Sequence, residues 1–319
     1  MSSRAGRSYR EQVDELIDSS GIAQDSAALR ERLAVHGYLF FRGLLPAQPL
    51  LAAGAAVTSR LRDGGWADAD GAPAGQPRAL NSHDALSDPA FRAALTSAEF
   101  NQLPYLAPLR ETARRILGGQ AFSYPVKVLR AVYPERPGPH ARGRYIHYDY
   151  GVGGGQDMLT SWLPLMEIPV RLGGLAVQPG GQHWPPRLPR PLTGSEPGWA
   201  TTDYRPGDAI LFHCLTPHAA LPNRGSALRI SGDFRWQLPD KPAPAEMILG
   251  PLAGRTGPGR PPELFYRMFS GQRWWEPIPA GITLRPRAEL AAIPPGPSRF
   301  FPVHPGWQAW QPPPPASVH

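Results

Sequence analysis

The sequence predicts an α+β protein in which N-terminal helices flank a double-stranded β-helix, that is, a jelly-roll or cupin-like barrel. Up to about residue 119 the apolar residues recur at helical spacing, and beyond it they alternate with polar residues as in strands. Helices followed by strands are typical of α+β domains. The number and spacing of the strand candidates favour a jelly roll.

The first part of the chain is predicted to contain three helices and one strand. Leu29 and Leu33, four residues apart, share a face of the first helix, and Gly37 is placed to end it. The expected elements are a helix over 25–36, a buried strand over 38–41, a helix over 46–63, a long loop over 64–81 and a helix over 106–117.

The second part is predicted to be mainly strands, joined by turns rich in proline and glycine. The candidates are 122–129, 145–150, 159–166, 174–178, 208–213 and 228–237. We expect an N-terminal extension (1–24), a single domain (25–293) and a proline-rich C-terminal tail (294–319). The tail is expected to extend over the domain surface, with an aromatic flap over a functional site or a partner subunit as the alternative.

Composition narrows the class of protein. Hydrophobic residues make up 41% of the 319 residues, which is enough for a buried core. The net charge of +7 comes from scattered arginines, so an acidic small molecule is a better candidate partner than nucleic acid. With Cys214 as its single cysteine the chain forms no internal disulfide, and we find no signal peptide or membrane-spanning run. We therefore expect a cytoplasmic protein that binds neither nucleic acid nor membrane.

One pair of residues suggests a metal site. His147 and Asp149 are two apart, so on an extended strand both side chains leave the same face. A second histidine from a distant strand, His213 or His218, would complete two imidazoles and one carboxylate, the usual set of non-haem Fe(II) oxygenases. The alternative for His147 and Asp149 is a buried hydrogen-bonded pair with no metal.

A second pair suggests a carboxylate-binding site. In the alternating run from 228 to 237, Arg229 and Ser231 fall on one face. An arginine fork beside a hydroxyl is well suited to holding a carboxylate group.

These segments resemble the phytanoyl-CoA dioxygenase family of Fe(II)/2-oxoglutarate oxygenases over about 29–237, some two-thirds of the chain. The matching segments are "LRERLAVHGYLFFRGLL", "HYDY", "SWLPLMEIP", "GGLAVQPGGQH", "YRPGDAILFH" and "PHAALPNRGSALRISGDF". The family usually has a serine where Gly181 stands in "PGGQH", and this departure concerns the hydrogen bonding of that turn.

The resemblance implies a role for six residues. His147, Asp149 and His218 would be the iron ligands. His213, which is not among the six, lies inside an apolar strand and is expected to be structural. Arg229 and Ser231 would bind the far carboxylate of 2-oxoglutarate, with Lys127 as a further contact on the strand before the metal motif. The cofactor and cosubstrates implied are Fe(II), 2-oxoglutarate and O2.

The implied reaction is hydroxylation of a C–H bond in a small organic metabolite, with succinate and CO2 as coproducts and a role in specialised metabolism. Related halogenases have glycine or alanine at the position of Asp149, so halogenation is not expected. The alternatives are desaturation or ring formation with the same cofactors, another cupin-like metal enzyme, and a non-catalytic binding barrel.

For the remaining candidates we distinguish pocket residues from structural ones. An acidic substrate would be met by aromatic and basic residues of 184–199: Trp184, Arg187, Arg190 and Trp199. His183 is expected to be a turn histidine and Trp162 a core residue. Arg235 is expected to be solvated, as arginines at strand ends usually are, with contact to the cosubstrate or substrate as the alternative.

Overall fold

The structure, a computed structural model, describes residues 13–68, 72–74, 88–135, 145–150, 155–187, 190–191, 198–248 and 279–309. In these residues the fold is α+β: two β-sheets enclose a barrel, and helices pack on the outer face of the larger sheet. The predicted fold class, a jelly-roll barrel flanked by N-terminal helices, is confirmed.

The helices of the described residues are α1 Ser26–His36, α2 Ala47–Asp63, α3 Pro89–Leu95, α4 Ala98–Asn101, α5 Ala107–Leu117, α6 Ala245–Ile248 and α7 Arg287–Ala292. The start of α1 is capped by Asp25, whose side chain accepts hydrogen bonds from two backbone N–H groups. Its end is formed by Gly37 in the left-handed region, with φ of 78°. The three helices expected from sequence are therefore confirmed.

Helices α3 and α4 were not predicted. Asp88 caps α3, and Pro89 occupies its first turn, which is where proline is tolerated in a helix. The buried side chains of Phe91 and Leu95 lie one turn apart on the face towards the core. An aspartate followed by proline and two apolar residues four apart is a helix-start signal that could have identified α3.

The strands are β1 Asp14–Glu15, β2 Tyr38–Phe41, β3 Phe122–Ser123, β4 Val128–Val132, β5 Tyr145–Ile146, β6 Leu159–Pro164, β7 Leu175–Val177, β8 Arg190–Pro191, β9 Ala200–Thr201, β10 Ala209–His213, β11 His218–Ala220, β12 Arg229–Gln237, β13 Ala243–Pro244 and β14 Leu284–Arg285. The larger sheet is antiparallel in the order β2-β10-β6-β12, with β3 and β4 both paired to β12. The smaller sheet has the order β1-β9-β7-β11, and two further pairs are β5-β8 and β13-β14.

The two faces of the larger sheet have different partners. Trp162, Ile210 and Phe212 share the inner face and pack with residues of the smaller sheet, such as Val177. The outer face carries residues such as Phe234, whose ring lies 5.4 Å from that of Phe100 in the helical layer. Because side chains alternate along a strand, the register of β12 decides which of its charged residues enter the barrel.

Two predicted strands are shorter than expected. The run 122–129 is divided into β3 and β4, because residues 124–127 leave the ladder; Pro125 in this stretch has no N–H to donate. The run 145–150 is a strand only at β5, after which His147 forms an isolated bridge and Asp149 lies in a bend. The expectation that His147 and Asp149 share the face of a continuous strand was therefore wrong.

The predicted loop 64–81 contains a core residue. Trp66 is fully buried and stacks on Phe91 at 5.5 Å and on Tyr133 at 6.0 Å between ring centroids. This aromatic stack attaches the end of α2 to α3 and to the end of β4. The expectation of a loop with little apolar content was wrong for this position, and most of the later part of the loop lies outside the described residues.

The segment predicted as an N-terminal extension contributes to the smaller sheet. Strand β1 pairs in parallel with β9, and the N–H of Ile17 donates to the hydroxyl of Tyr38 at 3.1 Å. The boundaries predicted at 24/25 and 293/294 stay a prediction. Within the described residues, no helix has the length and apolar character needed to cross a membrane.

Candidate metal centre

The structure brings His147, Asp149 and His218 together. One ligand atom from each lies within 4.8 Å of the others, and the two imidazole centroids are 4.2 Å apart. Asp149 and His218 are buried, whereas His147 is partly exposed. Two imidazole nitrogens and one carboxylate oxygen held this close together form a donor set that fits a non-haem iron and leaves further coordination positions open.

Backbone pairing positions the two histidines. His147 and His218 exchange both backbone hydrogen bonds, each at 3.1 Å, although they are 71 positions apart in the printed sequence. This bridge extends the smaller sheet beyond β11 towards β5. Asp149 follows in a bend, after which the N–H of Tyr150 donates to the carbonyl of Cys214 at 2.9 Å.

The ring of His218 is held in the tautomer that a metal requires. Its Nδ1 lies 3.0 Å from the carbonyl oxygen of Thr216, which can only accept, so Nδ1 carries the proton and Nε2 keeps its lone pair. Burial, and then the neighbouring imidazole of His147, lower the pKa of His218 to about 4. His218 is therefore neutral at physiological pH and available as a ligand.

Asp149 has a hydrogen-bond partner on each oxygen. Thr160 Oγ1 donates to Oδ2 at 2.5 Å, and Arg235 Nη2 donates to Oδ1 at 3.3 Å. Burial alone would raise the pKa of this carboxyl group, but the guanidinium of Arg235 and the two imidazoles lower it well below its usual value. Asp149 is therefore a carboxylate at physiological pH.

Arg235 is the site residue that sequence reasoning missed. We expected a solvated side chain, but Arg235 is 4% exposed on the inner face of β12, directly opposite Thr160 of β6. The available signal was its position six residues after Arg229, an even spacing that places both on one face of a strand.

Arg229 and Ser231 lie on the same inner face. Both are buried, and Arg229 Nη1 donates to Ser231 Oγ at 2.5 Å. The guanidinium carbon of Arg229 lies 6.0 Å from the ring centroid of Trp162, a buried residue of the barrel core, as expected from the sequence. An arginine and a hydroxyl are therefore paired inside the barrel, on the strand that also carries Arg235.

The side chain of Lys127 lies neither with the metal cluster nor with Arg229 and Ser231. Its Nζ donates to the carbonyl of Pro125 at 3.1 Å and lies 5.3 Å from the ring centroid of Tyr105, which belongs to the helical layer. On the adjoining strand β4 it is Arg130, opposite Ser231, that takes the inner face. The side chain of Lys127 therefore lies on the opposite side of the larger sheet from the metal cluster.

Lys127→Met is expected to stabilise the protein by roughly 5 kcal/mol at pH 6, because burial lowers the pKa of Lys127 from 10.5 to about 7. Between pH 7 and pH 10.5 Lys127 binds a proton in the unfolded chain but not in the folded protein. The folding stability of the wild type therefore rises with pH in this range. The advantage of the variant should consequently shrink from pH 7 to pH 10. Urea unfolding at pH 6 and pH 9 measures this, and an equal advantage at both would contradict it.

The other histidine candidates have structural contacts. His213 Nε2 lies 3.3 Å from Asp157 Oδ1, and its Nδ1 accepts from the N–H of Leu215 at 3.2 Å. His183 Nε2 lies 2.7 Å from the carbonyl oxygen of Ala34, as expected for a turn histidine. Neither belongs to the three-residue cluster.

Gly181 is required by packing against the turn before His218. A Cβ at this position would lie 2.6 Å from the ring of Pro217, closer than side-chain atoms approach one another. The turn is held without a serine, because Gln182 Nε2 donates to the carbonyl of Ala34 at 2.9 Å. The missing side chain thus allows Pro217 to pack directly beneath the loop that presents His218.

The C-terminal tail packs beside the metal motif. Trp307 is fully buried, with its ring 4.9 Å from that of Tyr148 and 6.0 Å from that of Tyr150, the two neighbours of Asp149. Arg299 Nε contacts Asp157 at 3.3 Å. As far as residue 309 the tail therefore contributes to the core and does not only extend over the domain surface. Trp310 lies outside the described residues.

Of the predicted pocket residues, Trp184 and Arg187 lie near the metal motif, whereas Trp199 does not. The backbone N–H of Arg187 donates to the hydroxyl of Tyr148 at 3.3 Å, and its guanidinium lies 5.2 Å from the ring of Trp184. Trp199 is 1% exposed and packs in a core cluster with residues of the smaller sheet such as Ala176 and Ala219, so a role in the pocket was wrong. The side chain of Arg190 lies outside the described residues.

Comparison with known proteins identifies the family. The family model described as phytanoyl-CoA dioxygenase (PhyH) matches residues 33–231, more than half of the chain. The chain belongs to the phytanoyl-CoA dioxygenase family. The matched range includes all three residues of the metal cluster as well as Arg229 and Ser231. The chain is thus a member of a dioxygenase family, as the sequence predicted.

Curated relatives and solved structures are similar to this phytanoyl-CoA dioxygenase family member. The 1-deoxypentalenic acid 11-beta-hydroxylase of Streptomyces exfoliatus is 24% identical over 249 residues, covering 70% of this chain and 86% of the relative. That of Streptomyces arenae is 24% identical over 258 residues, covering 70% and 85%. EctD from S. alaskensis, solved with 2-oxoglutarate and 5-hydroxyectoine, is 18% identical with a TM-score of 0.49, covering 86% of this chain and 95% of EctD.

Proposed function

We propose that this dioxygenase hydroxylates a C–H bond of a small organic acid in specialised metabolism. In this reaction 2-oxoglutarate loses CO2 and becomes succinate; one oxygen atom of O2 enters succinate and the other enters the product. The observation that carries the proposal is the convergence of His147, Asp149 and His218 in a barrel whose strand β12 also carries a buried arginine and serine on its inner face.

Each residue has a distinct part in this proposal. His147, Asp149 and His218 would hold the iron, which when bound supplies the activation of O2. Arg229 and Ser231 would hold the far carboxylate of 2-oxoglutarate through charge-assisted hydrogen bonds inside the barrel. Lys127 is left out of this set, because its side chain lies in the helical layer.

The presence of Asp149 favours hydroxylation over halogenation. A halide needs a coordination position that a carboxylate ligand otherwise fills. Asp149 is ionised and hydrogen-bonded on both oxygens, so it is well placed to keep that position. Desaturation and ring formation remain alternative outcomes, which the mass of the product distinguishes.

The proposed acidity of the substrate rests on Arg130 and on the relatives. Arg130 Nε and Nη2 both donate to one oxygen of Asp233, at 2.9 and 2.6 Å, and the Arg130 side chain is 40% exposed on the inner face of an edge strand. A guanidinium that remains accessible there is suited to a carboxylate. The curated relatives are named as hydroxylases of 1-deoxypentalenic acid, a carboxylic acid.

The function is tested with the purified enzyme, Fe(II) and 2-oxoglutarate. Under anaerobic conditions we expect the visible charge-transfer band of an iron-bound keto acid. With O2, a panel of carboxylic acids and their methyl esters is screened for succinate release. Products of active compounds should be 16 mass units heavier, because one oxygen atom is added. Absence of both the band and any 2-oxoglutarate-dependent succinate would refute the proposed function.

The role of Arg130 is tested on the compounds found active. Arg130→Met should raise KM for the acids roughly 10- to 100-fold, as expected for loss of a charged hydrogen bond, without changing KM for 2-oxoglutarate. Active compounds that are mostly esters, or an unchanged KM for the acids, would argue against acid recognition.

A further inference from the structure

Arg235 is a buried cation beside a proposed metal ligand. Its side chain is 5% exposed, and Nη2 contacts Asp149 Oδ1 at 3.3 Å. The same oxygen lies 3.8 Å from His218 Nε2, so Arg235 approaches the side of Asp149 that faces the other ligands. Burying a guanidinium is unfavourable unless it is paired, which makes this placement specific.

The two partners of Asp149 differ in charge. Thr160 holds Oδ2 through a neutral hydroxyl, which can orient the carboxylate but adds no charge. Arg235 holds Oδ1 and brings a full positive charge to the cluster. Orientation and charge can therefore be separated by changing one partner or the other.

The charges around the proposed metal site show the effect of the Arg235 guanidinium. Within the cluster the carboxylate of Asp149 pairs with the guanidinium of Arg235, and the charges of these two groups sum to zero. A dication and the 2-oxoglutarate dianion add zero to this sum. Arg229 would already offset one charge of the cosubstrate at its far carboxylate, so the charge that Arg235 offsets is that of Asp149 at the metal end, in a barrel of low dielectric.

We propose that Arg235 is a positioning residue that balances charge: it weakens binding of the bare metal and strengthens binding of 2-oxoglutarate to the metal-loaded site. The inference rests on the proposed metal site. A cation close to the metal repels it, since both are positive. The same cation attracts the dianion, because a keto acid that chelates the metal must lie within a few ångströms of the ligand Asp149.

The test compares Arg235→Met, Arg235→Lys and Thr160→Val by anaerobic calorimetry, with Co(II) as a redox-stable probe. Arg235→Met should bind Co(II) at least as tightly as the wild type, whereas the Kd of the Co(II)-loaded protein for 2-oxoglutarate should rise about tenfold or more. Arg235→Lys should recover part of the cosubstrate affinity. Thr160→Val, which leaves the charge unchanged, should weaken Co(II) binding without this selective loss.

Arg42→Met is the matched control. Arg42 pairs with Asp208 near the start of β10, outside the cluster, so its loss should change neither affinity. A loss of Co(II) affinity with unchanged 2-oxoglutarate affinity in Arg235→Met would show a purely orienting role and overturn the inference, as would no change in either. A wild-type protein that binds no Co(II) would instead refute the proposed metal site itself.

Discussion

His147→Ala is expected to abolish tight metal binding and turnover while leaving the fold intact. The partly exposed imidazole supplies one of three ligand atoms, and its removal leaves a two-ligand site. We expect Co(II) or Fe(II) affinity to fall by roughly 10³-fold, equivalent to about 4 kcal/mol. Calorimetric titration of the metal-free protein measures this directly.

Asp149→Ala should have a second effect that His147→Ala lacks. It removes the acidic partner of the buried Arg235, and an uncompensated buried charge costs about 3–5 kcal/mol of folding stability. The two variants should therefore lose metal binding equally but differ in urea unfolding. Equal stability would show that Arg235 does not depend on Asp149 for its burial.

His183→Asn is the control for both variants. His183 is a nearby histidine outside the cluster, and asparagine keeps an N–H donor for the carbonyl of Ala34. Metal affinity and turnover should stay at the wild-type level. If His147→Ala bound metal and turned over normally, the assignment of the ligands would be wrong.

Arg229→Met is expected to raise KM for 2-oxoglutarate by roughly 10²- to 10³-fold, with little change in metal affinity. Loss of one partner of a buried charged hydrogen bond costs about 2–5 kcal/mol, largely because the other charge is left buried and unpaired. In this protein Arg229 is 1% exposed and already oriented by Ser231, so little reorganisation is needed on binding. Steady-state succinate assays at varied 2-oxoglutarate measure KM.

Two further variants sharpen that result. Ser231→Ala removes a neutral partner and should raise KM by about tenfold. Arg229→Lys should not restore the wild-type KM, because an ammonium group cannot form the two parallel hydrogen bonds of a guanidinium. A wild-type KM in Arg229→Met would place the far carboxylate elsewhere in the barrel.

Elements with local signals were predictable. The start and end of α1 follow from Asp25 and Gly37, and the buried strand β2 was predicted with its observed bounds. Capping and left-handed glycine act within a few residues, so such signals survive without tertiary information. Helix α3 was missed although Asp88 and Pro89 carry the same kind of signal.

Placements that depend on register were not predictable. Lys127 and Arg130 are three residues apart, a spacing that places them on opposite faces of the larger sheet, but only the pairing of Arg130 with Ser231 of β12 shows which of the two enters the barrel. Arg235 was expected at an exposed strand end, but β12 continues to Gln237 and is covered on both faces. A shift of one residue exchanges the two faces of a strand, and sequence alone does not reveal where the pairing begins.

By itself the sequence determined the fold class, since hydrophobic periodicity is a local property of the chain, and the resemblance of its motifs to a known family implied which three residues would bind the metal. The tertiary structure alone decided the partners of those residues: Arg235 and Thr160 on Asp149, Thr216 on His218, and the helical layer around Lys127. The physical reason is that hydrogen bonds and burial join groups far apart in sequence, and their geometry exists only once the sheets have paired.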